Sequence, residues 1–217
     1  MQRVAERAAS VTLVDIDPEA AARAQARITG KAQAGIEFLE LDVTDGAAEV
    51  IVASIVAGAG HPTNLDPPTD AIAGGGFDLV LGDMLYTQLL QPALVQLRLP
   101  GPQQLEYMRA FDGLLTEALV QRLQRSASPL GKVVHVHDVA CWSGVHSQPV
   151  ELAEALATPD LSWARLRRHD QCDPQLALER LGVLTVERGW WEWPFEPNKR
   201  FLARGTVAVA GLPSDRS

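Results

Sequence analysis

The chain has 217 residues, 47% of them hydrophobic and 21% charged, which suits one soluble α/β domain with a sizeable core. Its formal charge of -8 argues against a nucleic-acid binder, because phosphate neutralisation needs clustered Lys and Arg. Two cysteines without CxxC spacing, Cys141 and Cys172, argue against a disulfide scaffold or a structural zinc site and suit a reducing compartment.

Residues 1–9 read as the end of an amphipathic helix without the apolar core of a signal peptide. Val11-Thr12-Leu13-Val14-Asp15-Ile16 then reads as a buried strand ending on a carboxylate. Asp17 is placed to cap the next helix, Pro18 suits its first turn, and Glu19 favours the positive end of the helix dipole. Ala21, Ala24 and Ile28 recur at helical spacing up to Gly30. A second strand, Ile36–Leu41, stops at Asp42-Val43-Thr44-Asp45.

Ala47–Ala57 follows as a helix. The stretch from Gly58-Ala59-Gly60-His61-Pro62 through Asp66-Pro67-Pro68 to Gly74-Gly75-Gly76 is rich in Gly and Pro, so an insertion over about 46–76 with a mobile surface loop is expected. Phe77–Leu81 forms the next strand and ends at Gly82-Asp83. Over 103–125, Leu105, Met108, Phe111, Leu115, Leu119 and Arg122 or Leu123 trace one apolar stripe, the strongest helix signal in the chain. Gly131 opens a strand over Lys132–Val139, with Val134, Val136 and Asp138 alternating against His135 and His137.

Ser147 and Pro149 suit the start of a short helix, and Arg165, Arg167 and Arg168 read as a solvated basic face. Val183–Glu187, Trp190–Trp193 and Thr206–Ala210 read as strands separated by turns at Pro194, Pro197 and Gly205. Trp190, Trp191, Trp193 and Phe195 are expected to pack this final antiparallel pair against the sheet, with a contact surface as the alternative. The alternation of strands and helices before it implies a Rossmann-like, doubly wound and mostly parallel sheet in one domain.

Ligands of such a sheet bind at the carboxyl ends of its strands, and three strand ends carry Asp15, Asp42 and Asp83. With Val11–Pro18, Ile36–Asp45, Phe77–Tyr86 and Gly131–Asp138, the chain resembles the class I S-adenosylmethionine-dependent methyltransferases over nearly its whole length. The resemblance implies S-adenosylmethionine as cofactor and methyl transfer to a small-molecule acceptor. It assigns Asp15 to the cofactor ribose and Ile16 to the flank of the adenine. Asp42 and Val43 would read the adenine edge, and Gly82, Asp83 and Tyr86 would border the sulfonium and the acceptor.

The family's glycine-rich turn, which contacts the methionine part, belongs after a first strand that would precede Val11. The fold is therefore expected to be N-terminally incomplete. That departure keeps a second function open, a catalytically inactive methyltransferase-like binding or partner subunit. Asp66-Pro67-Pro68 is similar to an amino-methyltransferase motif, but it precedes the strand it should follow and is assigned to a loop. A short-chain dehydrogenase is excluded because Tyr86 and Tyr107 are followed four residues on by Leu90 and Phe111, where that chemistry needs Lys.

Methyl transfer from a sulfonium depends on positioning, and a base is needed only for a protonated acceptor. His137 and Asp138 are the first candidates for that base, with His146 next, and Tyr86 completes the catalytic set. The acceptor is expected over Tyr86, His137, Asp138 and Trp142, with 58–76 as a lid. No bilayer-spanning run, metal-ligand spacing or nucleic-acid signature is present in the sequence, and a cytoplasmic location is expected.

Overall fold

The computed structural model describes residues 7–27, 35–143, 167–168, 172–196 and 199–213. They fall into two compact units, Met1–Gly46 and Ala47–Ser217. The first unit holds strand β1 (Val11–Asp15), helix α1 (Pro18–Arg27) and strand β2 (Ile36–Glu40). β1 and β2 pair in parallel, from Val11 opposite Ile36 to Asp15 opposite Glu40. Asp17 caps α1 as its position implies: its Oδ1 accepts the Glu19 N–H at 2.8 Å. Arg23, one turn further on, donates to Asp17 Oδ2 at 2.7 Å. That contact holds the Asp17 carboxyl below its ordinary value. The expected helix over 1–9 is not found in its described part, since residues 7–9 form a turn and a bend.

The second unit opens with α2 (Ala47–Val56) and continues to β3 (Phe77–Asp83). A short helix α3 (Gln91–Gln96) leads into the 26-residue α4 (Gly101–Ser126). β4 (Ala127–Ser143), the two-residue β5 (Arg167–Arg168), helix α5 (Pro174–Arg180), β6 (Thr185–Glu196) and β7 (Lys199–Val209) complete it. The sheet order is β3-β4-β7-β6, with β5 beside β4. β3 and β4 are parallel, whereas β7 runs antiparallel to both β4 and β6. The fold is thus mixed α/β, with parallel pairs and an antiparallel end, and the described strands form two sheets where one was expected.

The α4 stripe packs as its periodicity demands. Met108, Phe111 and Leu115 join Ala47, Ile51, Leu90 and Leu94 in one apolar cluster. Leu119 and Leu123 are also buried, while Leu105 at the start of the stripe is exposed. α4 additionally buries Asp112, Thr116 and Gln124, a polar row at the same four-residue spacing. On β3 and β4, one face carries buried Gly82, Val133 and His135, and the other carries exposed Leu79 and Leu81. Gly131 sits beside the start of β3, where a Cβ would lie 2.8 Å from the Phe77 carbonyl oxygen.

Two expectations are corrected. The segment expected to be a mobile lid is fastened to α4. Arg122 Nε donates to the Asp70 carbonyl at 3.2 Å, and Arg125 to the Thr69 carbonyl at 2.9 Å. Ser126 Oγ accepts the Ile72 N–H at 2.8 Å, and the His61 ring packs on Tyr107 and Phe111 at 5.2 and 5.3 Å. Leu65 adds apolar contact with the α4 cluster.

Gly205, expected in a turn, lies inside β7 opposite Gly189. A Cβ there would meet the Trp191 ring at 3.3 Å, so the glycine admits an aromatic side chain rather than a bend. Pro194 likewise sits within β6, the outer strand of the sheet, where a missing N–H is tolerated. Of the aromatic residues, Trp193 meets Phe201 across the hairpin at 6.0 Å, and the Arg204 guanidinium lies over Trp190 at 5.4 Å. Trp191 and Trp193 are nevertheless 40% and 38% exposed, so they are not buried against the sheet as expected. No helix among the described residues is long and apolar enough to cross a membrane.

Candidate functional site

In the first unit the carboxyl ends of the parallel pair carry Asp15 and Asp42. Asp15 is exposed, and its Oδ1 accepts the Asp17 N–H at 2.9 Å. One oxygen is thus committed to the turn into α1. Ile16 beside it is 62% exposed.

Asp42 is placed differently. Its Oδ1 accepts the Thr44 N–H at 2.8 Å, and its Oδ2 accepts the Gly46 N–H at 2.7 Å. The Thr44 hydroxyl lies 2.9 Å from both oxygens. This carboxylate closes the loop from Asp42 to Gly46, the side-chain-to-backbone turn that Asp forms readily. Val43 is half-buried within that loop.

In the second unit the end of β3 carries Gly82 and Asp83. Asp83 is exposed and Gly82 is buried. Met84 then adopts φ 54°, and its N–H donates to the Val136 carbonyl at 3.0 Å, tying the turn to β4. A short 3₁₀ turn follows at Tyr86–Gln88. Tyr86 is buried in the core, with its hydroxyl 2.5 Å from His135 Nδ1. Burial, with the Asp173 charge adding to it, raises the phenol well above its ordinary value. Tyr86 therefore stays protonated and points inward.

His135 is fully buried, and burial lowers its pKa to about 3. Its other ring nitrogen lies 3.3 Å from the Gln124 side-chain amide. His137 and Asp138 are buried too, with His137 Nδ1 3.7 Å from Asp138 Oδ1. Thr87 Oγ1 donates to that same oxygen at 3.2 Å. The structure thus gathers Tyr86 and Thr87 of the turn after β3 with His135, His137 and Asp138 of β4, and only Asp83 of the expected residues there is exposed.

Beside them sits a polar group that sequence reasoning did not find. Arg204 of β7 stands opposite His137 in register and forms a buried ion pair with Asp173. Asp173 also caps α5 by accepting the Gln175 N–H at 2.8 Å. Cys172 is buried next to this pair, and burial raises its thiol, with Asp112 and Asp138 adding to the rise. The sequence Asp173-Pro174 carries the cap-and-proline signal of a helix start and was available to reveal it. His146, Arg165, Ser147 and Pro149 lie outside the described residues, as do the side chains of Cys141, Trp142 and Phe195.

No protein-family model matches the sequence, and neither does any curated protein. Among solved structures, the chain is similar to the N-methyltransferase NodS from Bradyrhizobium japonicum, at 14% identity over 97% of this chain and 79% of that one, with a TM-score of 0.46. It is also similar to a possible exported protein from Bordetella parapertussis, at 15% identity over 93% of this chain and 53% of that one, with a TM-score of 0.43.

Proposed function

We propose that the protein transfers a methyl group from S-adenosylmethionine to a small-molecule acceptor. The observation that carries this reading is the pairing of exposed Asp15 with exposed Ile16 at the carboxyl end of a parallel strand. An adenosine offers vicinal hydroxyls that donate to a carboxylate and a flat base that packs on an aliphatic side chain. Asp15 keeps one oxygen outside its own turn, so the residues present fit that group. Asp42 supports the neighbouring loop through both of its oxygens, and Val43 is the residue of that loop assigned to the adenine edge. Asp83 is the exposed carboxylate assigned to the side of the positive sulfonium, next to Gly82.

When bound, S-adenosylmethionine supplies an electrophilic methyl group on a sulfonium. The chain's own contribution is to hold the acceptor in line, exclude water and take a proton where the acceptor carries one. In this reading Asp138 is the acceptor of that proton. It lies within β4, two residues past the partner of the last β3 residue, with Thr87 and His137 around its carboxylate. Calorimetry with S-adenosylmethionine tests the assignment. Binding by the wild type, weakened about tenfold or more by Asp15→Ala, is the expected result. Equal affinity in the two proteins removes Asp15 from the site.

A further inference from the structure

The turn after β3 is fastened to β4 at three successive points. The Met84 N–H donates to the Val136 carbonyl at 3.0 Å. Tyr86 reaches His135 at 2.5 Å, and Thr87 reaches Asp138 at 3.2 Å. Three residues of β4, His135, Val136 and Asp138, thus hold the four-residue stretch Met84–Thr87. Two of the three links are side-chain bonds between fully or almost fully buried groups.

The sequence is shaped around the central link. A Cβ on Gly82 would lie 2.8 Å from the Tyr86 hydroxyl and 2.7 Å from Leu123 Cδ1, so the hydroxyl reaches His135 because position 82 has no side chain. His135 stays neutral in its dry surroundings and has one nitrogen free to accept the phenol proton. With Nδ1 accepting, the proton sits on Nε2. Gln124 Oε1, buried and otherwise without a partner, takes it once the amide is turned so that its oxygen faces the ring.

Resting on the methyl-transfer reading, we propose that Tyr86 and His135 are positioning residues of the acceptor side. Their bond, together with the Thr87–Asp138 bond, holds the Asp83–Thr87 turn so that Asp83, at the end of β3, stays beside Asp138 of β4. Neither residue of the pair touches the reacting atoms. The strained Met84 conformation, at φ 54°, is kept in place by its own N–H bond to Val136 and by these links two and three residues further on. This assigns the Tyr86 hydroxyl a role in holding the site instead of in the chemistry, and gives His135 a role that its burial alone does not.

The test compares wild type, Tyr86→Phe, His135→Gln, Thr87→Ser and Thr87→Ala by two measurements. The first is amide exchange at Met84–Gln88, which involves no cofactor. The second is calorimetric affinity for S-adenosylmethionine. Tyr86→Phe keeps the packing and removes only the hydroxyl. It is expected to speed exchange at Met84 and Thr87 about tenfold and to weaken affinity by a similar factor, with the far-ultraviolet circular dichroism unchanged. Thr87→Ser restores what Thr87→Ala loses, and the His135 ring nitrogens shift in ¹⁵N spectra of Tyr86→Phe. Unchanged exchange in Tyr86→Phe overturns the proposal, and so does faster exchange with unaltered affinity. If the wild type does not bind S-adenosylmethionine, the methyl-transfer reading fails, while the exchange series still decides whether the staple holds the turn.

Discussion

His135 is a titratable group kept where water does not reach it, and that has a thermodynamic consequence. In the unfolded chain an imidazole binds a proton near pH 6.5, whereas in the fold burial lowers this to about 3. Between those values the unfolded state holds the extra proton. Stability is therefore full above about pH 6.5 and is lost as the pH falls toward 3, at a slope of about 1.4 kcal/mol per pH unit from this group. Urea midpoints measured from pH 7 down to pH 4 are expected to fall. In His135→Gln, which cannot titrate and can still meet Tyr86, the fall is expected to be shallower. Equal slopes in the two proteins would show that His135 is not the group responsible.

Asp173 joins two elements at one carboxylate. It caps α5 and neutralises Arg204 on β7, with the two side chains only 11% and 9% exposed. Asp173→Ala removes the cap and strands a buried guanidinium. A loss of about 3–5 kcal/mol is expected from the unpaired charge, with about 1 kcal/mol more from the cap. Asp173→Asn keeps a good capping group and is expected to recover only the smaller part, as read from urea midpoints.

The elements best read from sequence were those whose signal is local. β1, β2, β3, α1 and α4 follow from apolar period, caps and strand-end carboxylates. What sequence missed depends on partners far along the chain. The 58–76 segment looks mobile until Arg122, Arg125 and Ser126, some 50 residues later, are seen to hold its end. Alternation in β4 separates His135 and His137 from Val134 and Val136, yet it is α4 that decides that the histidine face is the buried one. Gly205 carries a turn signal by composition, and only the Trp191 ring above it shows why a glycine stands in mid-strand. Of the candidate site, Asp15, Ile16 and Asp83 stand exposed at strand ends as read, whereas the inward aim of Tyr86 had no local sign.

At the scale of the whole molecule, the second unit shows large apolar side chains on one sheet face. Leu79 is 54% and Leu81 44% exposed on the outermost parallel strand. Exposed apolar residues on an edge strand favour self-association. Leu81→Lys is expected to reduce concentration-dependent sedimentation without altering the circular dichroism. Unchanged sedimentation would exclude Leu81 from any such contact.

The aromatic hairpin also determines what light can report about this protein. Three of the five tryptophans, Trp190, Trp191 and Trp193, stand together on β6, and residues 1–46 contain neither tryptophan nor tyrosine. With Trp190 beneath the guanidinium that Asp173 holds, indole emission is in large part a readout of one hairpin and its helix cap. A ligand that touches only Asp15 and Ile16 has no fluorophore within its own unit to perturb. Its arrival is to be followed as heat, while loss of the Arg204–Asp173 pair is to be followed as a change in colour.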